Sequence, residues 1–138
     1  MTYTLVRGST TITLHSVQSE RVSRQTFITV NPMPTSDAED AMIIDYGGVV
    51  EQIAIDGKEV FNDPQKTEQE NWDALVAFVK DLSELANGNQ TGGDTLYYNS
   101  DLLGTNIPCV VLDLNITYNA GIPLEVDYSI TLVRGSLY

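Results

Sequence analysis

Residues 108–134 read PCVVLDLNITYNAGIPLEVDYSITLVR, and they carry the fold. Val110, Leu112, Leu114, Ile116 and Tyr118 alternate with polar residues, and beyond Asn119-Ala120-Gly121 the alternation resumes at Leu124, Val126, Tyr128, Ile130 and Leu132. Successive side chains of a strand point to opposite faces, so this is the pattern of two half-buried strands joined by a turn. A long antiparallel hairpin over about 108–134 follows. Its even-numbered face is apolar and is expected to pack on a core. Its odd-numbered face carries Asp113, Asn115, Thr117, Glu125, Asp127, Ser129 and Thr131 and is expected to meet water or a polar partner.

Outward from the hairpin, the chain is rich in further strand signals. Thr2 to Arg7 runs into Gly8-Ser9, a pair suited to a two-residue turn, and Thr10 to Val17 follows. Val22 to Val30 reads as a third strand, ended by Asn31-Pro32-Met33-Pro34 because proline cannot donate to a ladder. A long acidic loop is expected over 31–41. Met42 to Tyr46 and Val49 to Asp56 are strands on either side of Gly47-Gly48, which reads equally as a tight turn or as a bulge in one strand. Asp56-Gly57 reads as another hairpin turn.

One helix is expected, over about 64–87. It starts either at Asp63-Pro64 or at a capping box made by Thr67 and Glu70. Trp72, Leu75, Val76, Val79, Leu82 and Ala86 fall at helical spacing, and Asn87-Gly88 supplies the stop. Thr95 to Tyr98 is a short strand and 100–106 a loop. The fold class is therefore mainly β: an antiparallel β-sandwich or partly closed barrel of eight or so strands with one flanking helix.

With 138 residues and 42% hydrophobic content, the chain suits one domain over 1–138 with an ordinary core. Nineteen Asp and Glu against seven Lys and Arg give a net charge of −12. Binding to a phosphate backbone needs clustered cations, so specific nucleic-acid binding is not expected, whereas a repulsive relation to nucleic acid is compatible with this charge. The amino terminus has no basic segment followed by an apolar run, and no stretch reaches the length of a membrane span, so no membrane partner is expected.

The chemistry-bearing residues are few. His15 and Cys109 are the only histidine and the only cysteine. They lie far apart in sequence within strand patterns, carry no nucleophile signature, and cannot form a zinc site or an intrachain disulfide. No catalytic residue and no cofactor is assigned, and the chain is read as a non-enzyme. Cys109 is read as a small core or interface residue. Asp37, Glu39 and Asp40 are weak candidates for a hard cation such as calcium, although their spacing is not that of an EF-hand and a solvated acidic loop is the first reading. Asp113, Glu125 and Asp127 share one hairpin face, where like charges cost about 0.2–1 kcal/mol per pair on a bare surface. A catalytic pair, a bound counter-cation, or an acidic surface needed for function would each justify them.

Thr4-Leu5-Val6-Arg7-Gly8-Ser9 recurs letter for letter as Thr131-Leu132-Val133-Arg134-Gly135-Ser136. The flanks differ, so no repeat architecture follows, and the first and last strands are expected to occupy similar edge environments.

The order of signals resembles that of tail proteins of tailed bacteriophages and tailed archaeal viruses. The residues that carry the resemblance are Val30-Asn31-Pro32, the run from Asp45-Tyr46-Gly47-Gly48 to Asp56-Gly57, the single helix, Gly121-Ile122-Pro123-Leu124, and Tyr128-Ser129-Ile130-Thr131-Leu132. They are similar to tail-tube proteins and the related distal-tail and baseplate-hub domains, over about three quarters of the chain. The resemblance implies a virion structural protein that forms rings, usually of six subunits, around a DNA-conducting lumen. A tail-tube subunit is the first reading; a tail terminator or a distal-tail or baseplate ring protein is the alternative. It also implies assembly in the host cytoplasm, further viral tail proteins as partners, and DNA that passes without specific binding. Asp113, Glu125 and Asp127 would then face the lumen, and the 31–41 loop would reach the next ring. A monomeric calcium- or carbohydrate-binding β-sandwich module is the alternative from another class.

Overall fold

A computed structural model describes residues 3–31, 42–86, 94–121 and 124–135. Seven strands and one helix follow in the order β1 (Tyr3–Arg7), β2 (Thr10–Leu14), β3 (Val17–Asn31), β4 (Met42–Phe61), α1 (Glu68–Leu85), β5 (Leu96–Ser100), β6 (Gly104–Asn119) and β7 (Leu124–Arg134). All strands belong to one antiparallel sheet, ordered β2-β1-β5-β6-β7-β4-β3. The mainly β class, the flanking helix and the long C-terminal hairpin stand as read. The choice between sandwich and barrel resolves to a single curled sheet.

The reason for the curl is connectivity. β2 and β3 are the two opposite edges of the sheet, yet only His15 and Ser16 separate them in sequence. A flat sheet cannot place its edges a two-residue link apart, so the sheet rolls until they converge without joining as a ladder. The link is stitched to β4: Lys58 N donates to Ser16 O (3.1 Å), and His15 N donates to Glu59 Oε1 (2.6 Å). Across the interior, Glu20 of β3 accepts from the Tyr98 hydroxyl and from Ser100 Oγ (3.4 Å) of β5. Burial first, and the Glu20 carboxylate second, raise the Tyr98 pKa above its usual value.

Leu5, Leu14, Ile53, Ile55, Leu96, Tyr98, Ile130 and Leu132 fill the concave face, and Leu82 and Leu85 of α1 close over it. Full burial of each large aliphatic side chain contributes about 1.5–3 kcal/mol. The helix is capped by Thr67, whose side chain accepts from Glu70 N (3.2 Å), so the capping box and not Asp63-Pro64 starts it. Its buried positions are Leu75, Leu82 and Leu85, with the Phe78 ring tilted against those of Phe61 (5.8 Å between centroids) and Tyr128 (6.0 Å). Trp72 and Val76, expected on the covered face, are 39% and 46% exposed, because the buried stripe is rotated toward Phe78 and Leu85. The Asn87-Gly88 stop lies outside the described residues.

Several boundaries differ from expectation. Gly47-Gly48 is not a tight turn but the bulge that was its other reading: β4 is one strand of 20 residues, and its extra residues lie where the pairing shifts from Thr26–Val49 to Ile28–Asp45. Asp56-Gly57 is not a turn either. Gly57 lies mid-strand on the inner face, paired with Tyr128, and its missing side chain is what lets the Tyr128 ring lie across β4. β3 begins at Val17, not Val22, and β6 begins at Gly104 inside the expected 100–106 loop.

The hairpin itself contains the main correction. A register shift between Val111 and Asp113 reverses the facing of β6 partway along its length. Before it, Ile107, Cys109 and Val111 face the core; after it, Leu114 and Ile116 do. Val110 and Leu112 therefore leave the apolar face, and Leu112 is 59% exposed.

The first four residues of the two hexapeptide copies, Thr4–Arg7 and Thr131–Arg134, lie in β1 and β7, and neither strand is an edge. They flank the β5–β6 hairpin on its two sides and run in opposite directions, related by a local two-fold normal to the sheet. Leu5 and Leu132 are both fully buried. Arg7 pairs with Leu96, Leu96 with Cys109 and Cys109 with Arg134, so the two arginines lie on one cross-strand row. Similar environments are present, but in the body of the sheet.

Candidate functional site: the open polar face of the sheet

The convex face of β3-β4-β7-β6 is made of aligned rows. Ladder pairing places Ser23, Gln52, Val133 and Val110 on one row, then Arg21, Ala54, Thr131 and Asp113, then Ser19, Asp56, Ser129 and Asn115. Lys58, Asp127 and Thr117 form the next, followed by Val60, Glu125 and Asn119. Side chains here are short and mostly polar. The helix packs on the other face, so these rows stay open.

Asp113, Glu125 and Asp127 share this face, as their alternation requires. They do not converge: the Asn115–Ser129 rung separates Asp113 from the row of Asp127. Lys58 Nζ reaches Glu125 Oε2 (3.3 Å) and Asp127 Oδ1 (3.9 Å), and Asn119 Nδ2 donates to Asp127 Oδ2 (2.7 Å). Asn115 Nδ2 donates to Asp113 Oδ2 at 3.4 Å. The repulsion expected between Glu125 and Asp127 is thus offset within the chain, with no bound cation or catalytic role required. A shallow cleft of about 390 Å³ runs between Gln18, Asp56, Lys58, Asn115, Asp127 and Ser129.

Lys58, Asp56 and Arg21 were missed as members of this face. The misread turn at Asp56-Gly57 hid the first two; a strand continued through it by period two would have aligned Ala54, Asp56 and Lys58. Asp37, Glu39 and Asp40 lie outside the described residues. Among the described residues, no three His, Cys, Asp or Glu side chains are grouped as a metal would need, and no helix is long and apolar enough to cross a membrane. His15 sits in the β2–β3 link, not in a strand, with its side chain 72% exposed and Nδ1 3.3 Å from Glu59 Oε2.

Two flanking features complete the surface. Among the described residues, β2 and β3 leave their outer backbone edges unpaired. The distal half of the β3–β4 hairpin also runs past the last β4–β7 pair, Gln52 with Val133, as a two-stranded arm. Phe27, Ile28, Ile43 and Val49 on this arm are 46–64% exposed.

No protein-family model matches the chain, and no curated protein does. Among solved structures, it is similar to a chain of the virion of a native gene transfer agent (GTA) particle, at 12% identity and a TM-score of 0.47, covering 98% of this chain and 92% of that one. It is also similar to a chain of the tail of an empty GTA particle with C6 symmetry, at 15% identity and a TM-score of 0.47, covering 99% and 91%.

Proposed function

We propose that this chain is a structural subunit of a viral tail. It assembles into rings, hexameric in the first instance, around a lumen that conducts DNA. The observation that carries the reading is the face of β3-β4-β7-β6: among the described residues it is an uncovered, mostly polar, net acidic surface that ends at the unpaired outer edge of β3, in a sheet whose other unpaired edge is β2. Free edges on a soluble monomer invite aggregation unless neighbouring subunits consume them. A surface with acidic side chains and no cation cluster repels phosphate, so DNA slides past without sticking. Asp113, Glu125 and Asp127 face this lumen, joined by Asp56. The arm extends each subunit toward its neighbours.

A tail-tube subunit stacks end to end, whereas a terminator or a distal-tail or baseplate ring stops at one ring. The mass distribution of the purified protein, with negative-stain images over a range of protein and salt concentrations, separates these outcomes. Tubes mark the tube subunit and isolated rings the terminator or baseplate role. A monomer at every concentration overturns the assembly reading. In assembled particles, replacing Asp113, Glu125 and Asp127 by Lys is expected to leave assembly intact and to impede genome passage; unimpaired passage rejects the lumen placement.

A further inference from the structure

Three of the four arginines share one inner-face row at one end of the sheet: Arg7, Arg134 and Arg24. Between the last two lies Glu51, a carboxylate on the buried face of β4. Its oxygens divide the work: Oε2 takes Arg24 Nε at 3.3 Å and Oε1 takes Arg134 Nη1 at 3.6 Å. The Glu51 side chain is 10% exposed, whereas those of Arg24 and Arg134 are 67% and 49% exposed. One buried anion therefore holds two largely exposed cations, each by a single nitrogen–oxygen approach. Arginine presents a rigid planar fork of donors, so a guanidinium held by one edge still offers the other to a carboxylate.

Arg24 and Glu51 form the last inner-face pair before the arm begins, since Thr26–Val49 is the next. The fork thus stands at the foot of the exposed apolar arm. The two strands of the arm are nearly uncharged: Asp45 is the only charged residue in 25–31 and 42–50, within a chain of net charge −12, and the acidic Asp37, Glu39 and Asp40 belong to the segment between them in sequence. Two copies of so acidic a protein repel each other almost everywhere. They approach at least cost where charge is absent or reversed, and the arm and the fork are one continuous surface of that kind. The copy they meet offers carboxylates in abundance; α1 alone exposes Glu68, Glu70, Asp73 and Asp81.

We propose that Arg24 and Arg134, positioned by Glu51, form a carboxylate-docking fork that, with the arm, seats a second copy of this chain. The two surfaces in contact differ, so the interface is head-to-tail and can close into a ring or propagate. The inference rests on the assembly reading and specifies its contact.

The test compares the wild type with the triple variant Arg24→Ala/Glu51→Gln/Arg134→Ala, which removes the fork without stranding a buried charge. Association is measured by light scattering and sedimentation at low and high sodium chloride, with thermal unfolding as the check on the fold. The wild type is expected to associate, and more weakly at high salt; the variant should unfold within a few degrees of it yet associate roughly tenfold or more weakly. Arg24→Lys/Arg134→Lys, which keeps the charge and loses the fork, should fall between the two. If the triple variant assembles like the wild type, the fork is rejected and the assembly reading survives. If the wild type stays monomeric, both are rejected.

Discussion

Gly57 shows how one position without a side chain sets the geometry of two strands. A Cβ there would lie 2.6 Å from Tyr128 Cζ and 2.8 Å from Ser16 O, and the latter is backbone that cannot swing aside. Gly57→Ala is expected to cost about 2–3 kcal/mol, read as a lowered urea midpoint with unchanged slope. The Tyr128 hydroxyl above it is buried and has no hydrogen-bond partner among the described residues. Tyr128→Phe removes that unsatisfied group and should be neutral or stabilising by up to about 1 kcal/mol in the same assay. Cys109 is buried beside Leu96 O, and desolvation pushes its thiol up to about 12, partly opposed by Arg7. It should resist alkylation in the folded protein near neutral pH and react once urea unfolds the chain. Tyr98 and Tyr128 are raised as well, in both cases chiefly by burial. A group whose folded pKa is raised holds its proton in the native state at a pH where the unfolded chain has released it, so stability falls as pH rises. For Cys109 the decline begins near its unfolded value of about 8.5 and continues to about 12, and urea midpoints measured across that range should fall steadily.

At the level of the elements, local rules account for the ends of α1, but only one end is local. Thr67 and Glu70 cap the N-terminus within four residues of chain, and Thr67→Ala should cost about 1 kcal/mol in thermal unfolding. The last turn holds no basic residue of its own; instead Arg7 of β1 donates Nη1 to Leu85 O at 3.3 Å. A cation at a helix C-terminus stabilises by about 0.3–1 kcal/mol, and this one comes from 78 residues away, beyond the reach of any sequence window. The β6 bulge is of the same kind. Periodicity over 110–118 is regular, so nothing in that run announces that Val111 and Asp113 straddle a register shift. The shift exists because the first half of β6 pairs with β5 and the second half with β7 alone. Lys58 likewise became part of the polar face only once β4 was continuous through Gly57.

At the scale of the whole molecule, a curled sheet with two edges free among the described residues is a surface that expects neighbours. Amides on the unpaired sides of β2 and β3 should exchange with deuterium rapidly in the monomer and slowly in rings or tubes, as read by mass spectrometry. Equal exchange in both states would mean that the edges stay open on assembly and that subunits join through other surfaces.

Period-two alternation was enough to determine the strands of the C-terminal hairpin, the composition of its polar face and the mainly β class, because face assignment along a strand is a local property. A capping box and helical spacing were enough for α1, for the same reason. Which strands adjoin, and hence that the sheet curls and that β2 and β3 form its edges, came only from long-range pairing: backbone hydrogen bonds are indifferent to side-chain identity, so many strand orders satisfy the same alternation. The Lys58 counter-charge and the Arg24–Glu51–Arg134 cluster belong to that second kind. Each joins residues from different strands, and only the folded register brings them within reach.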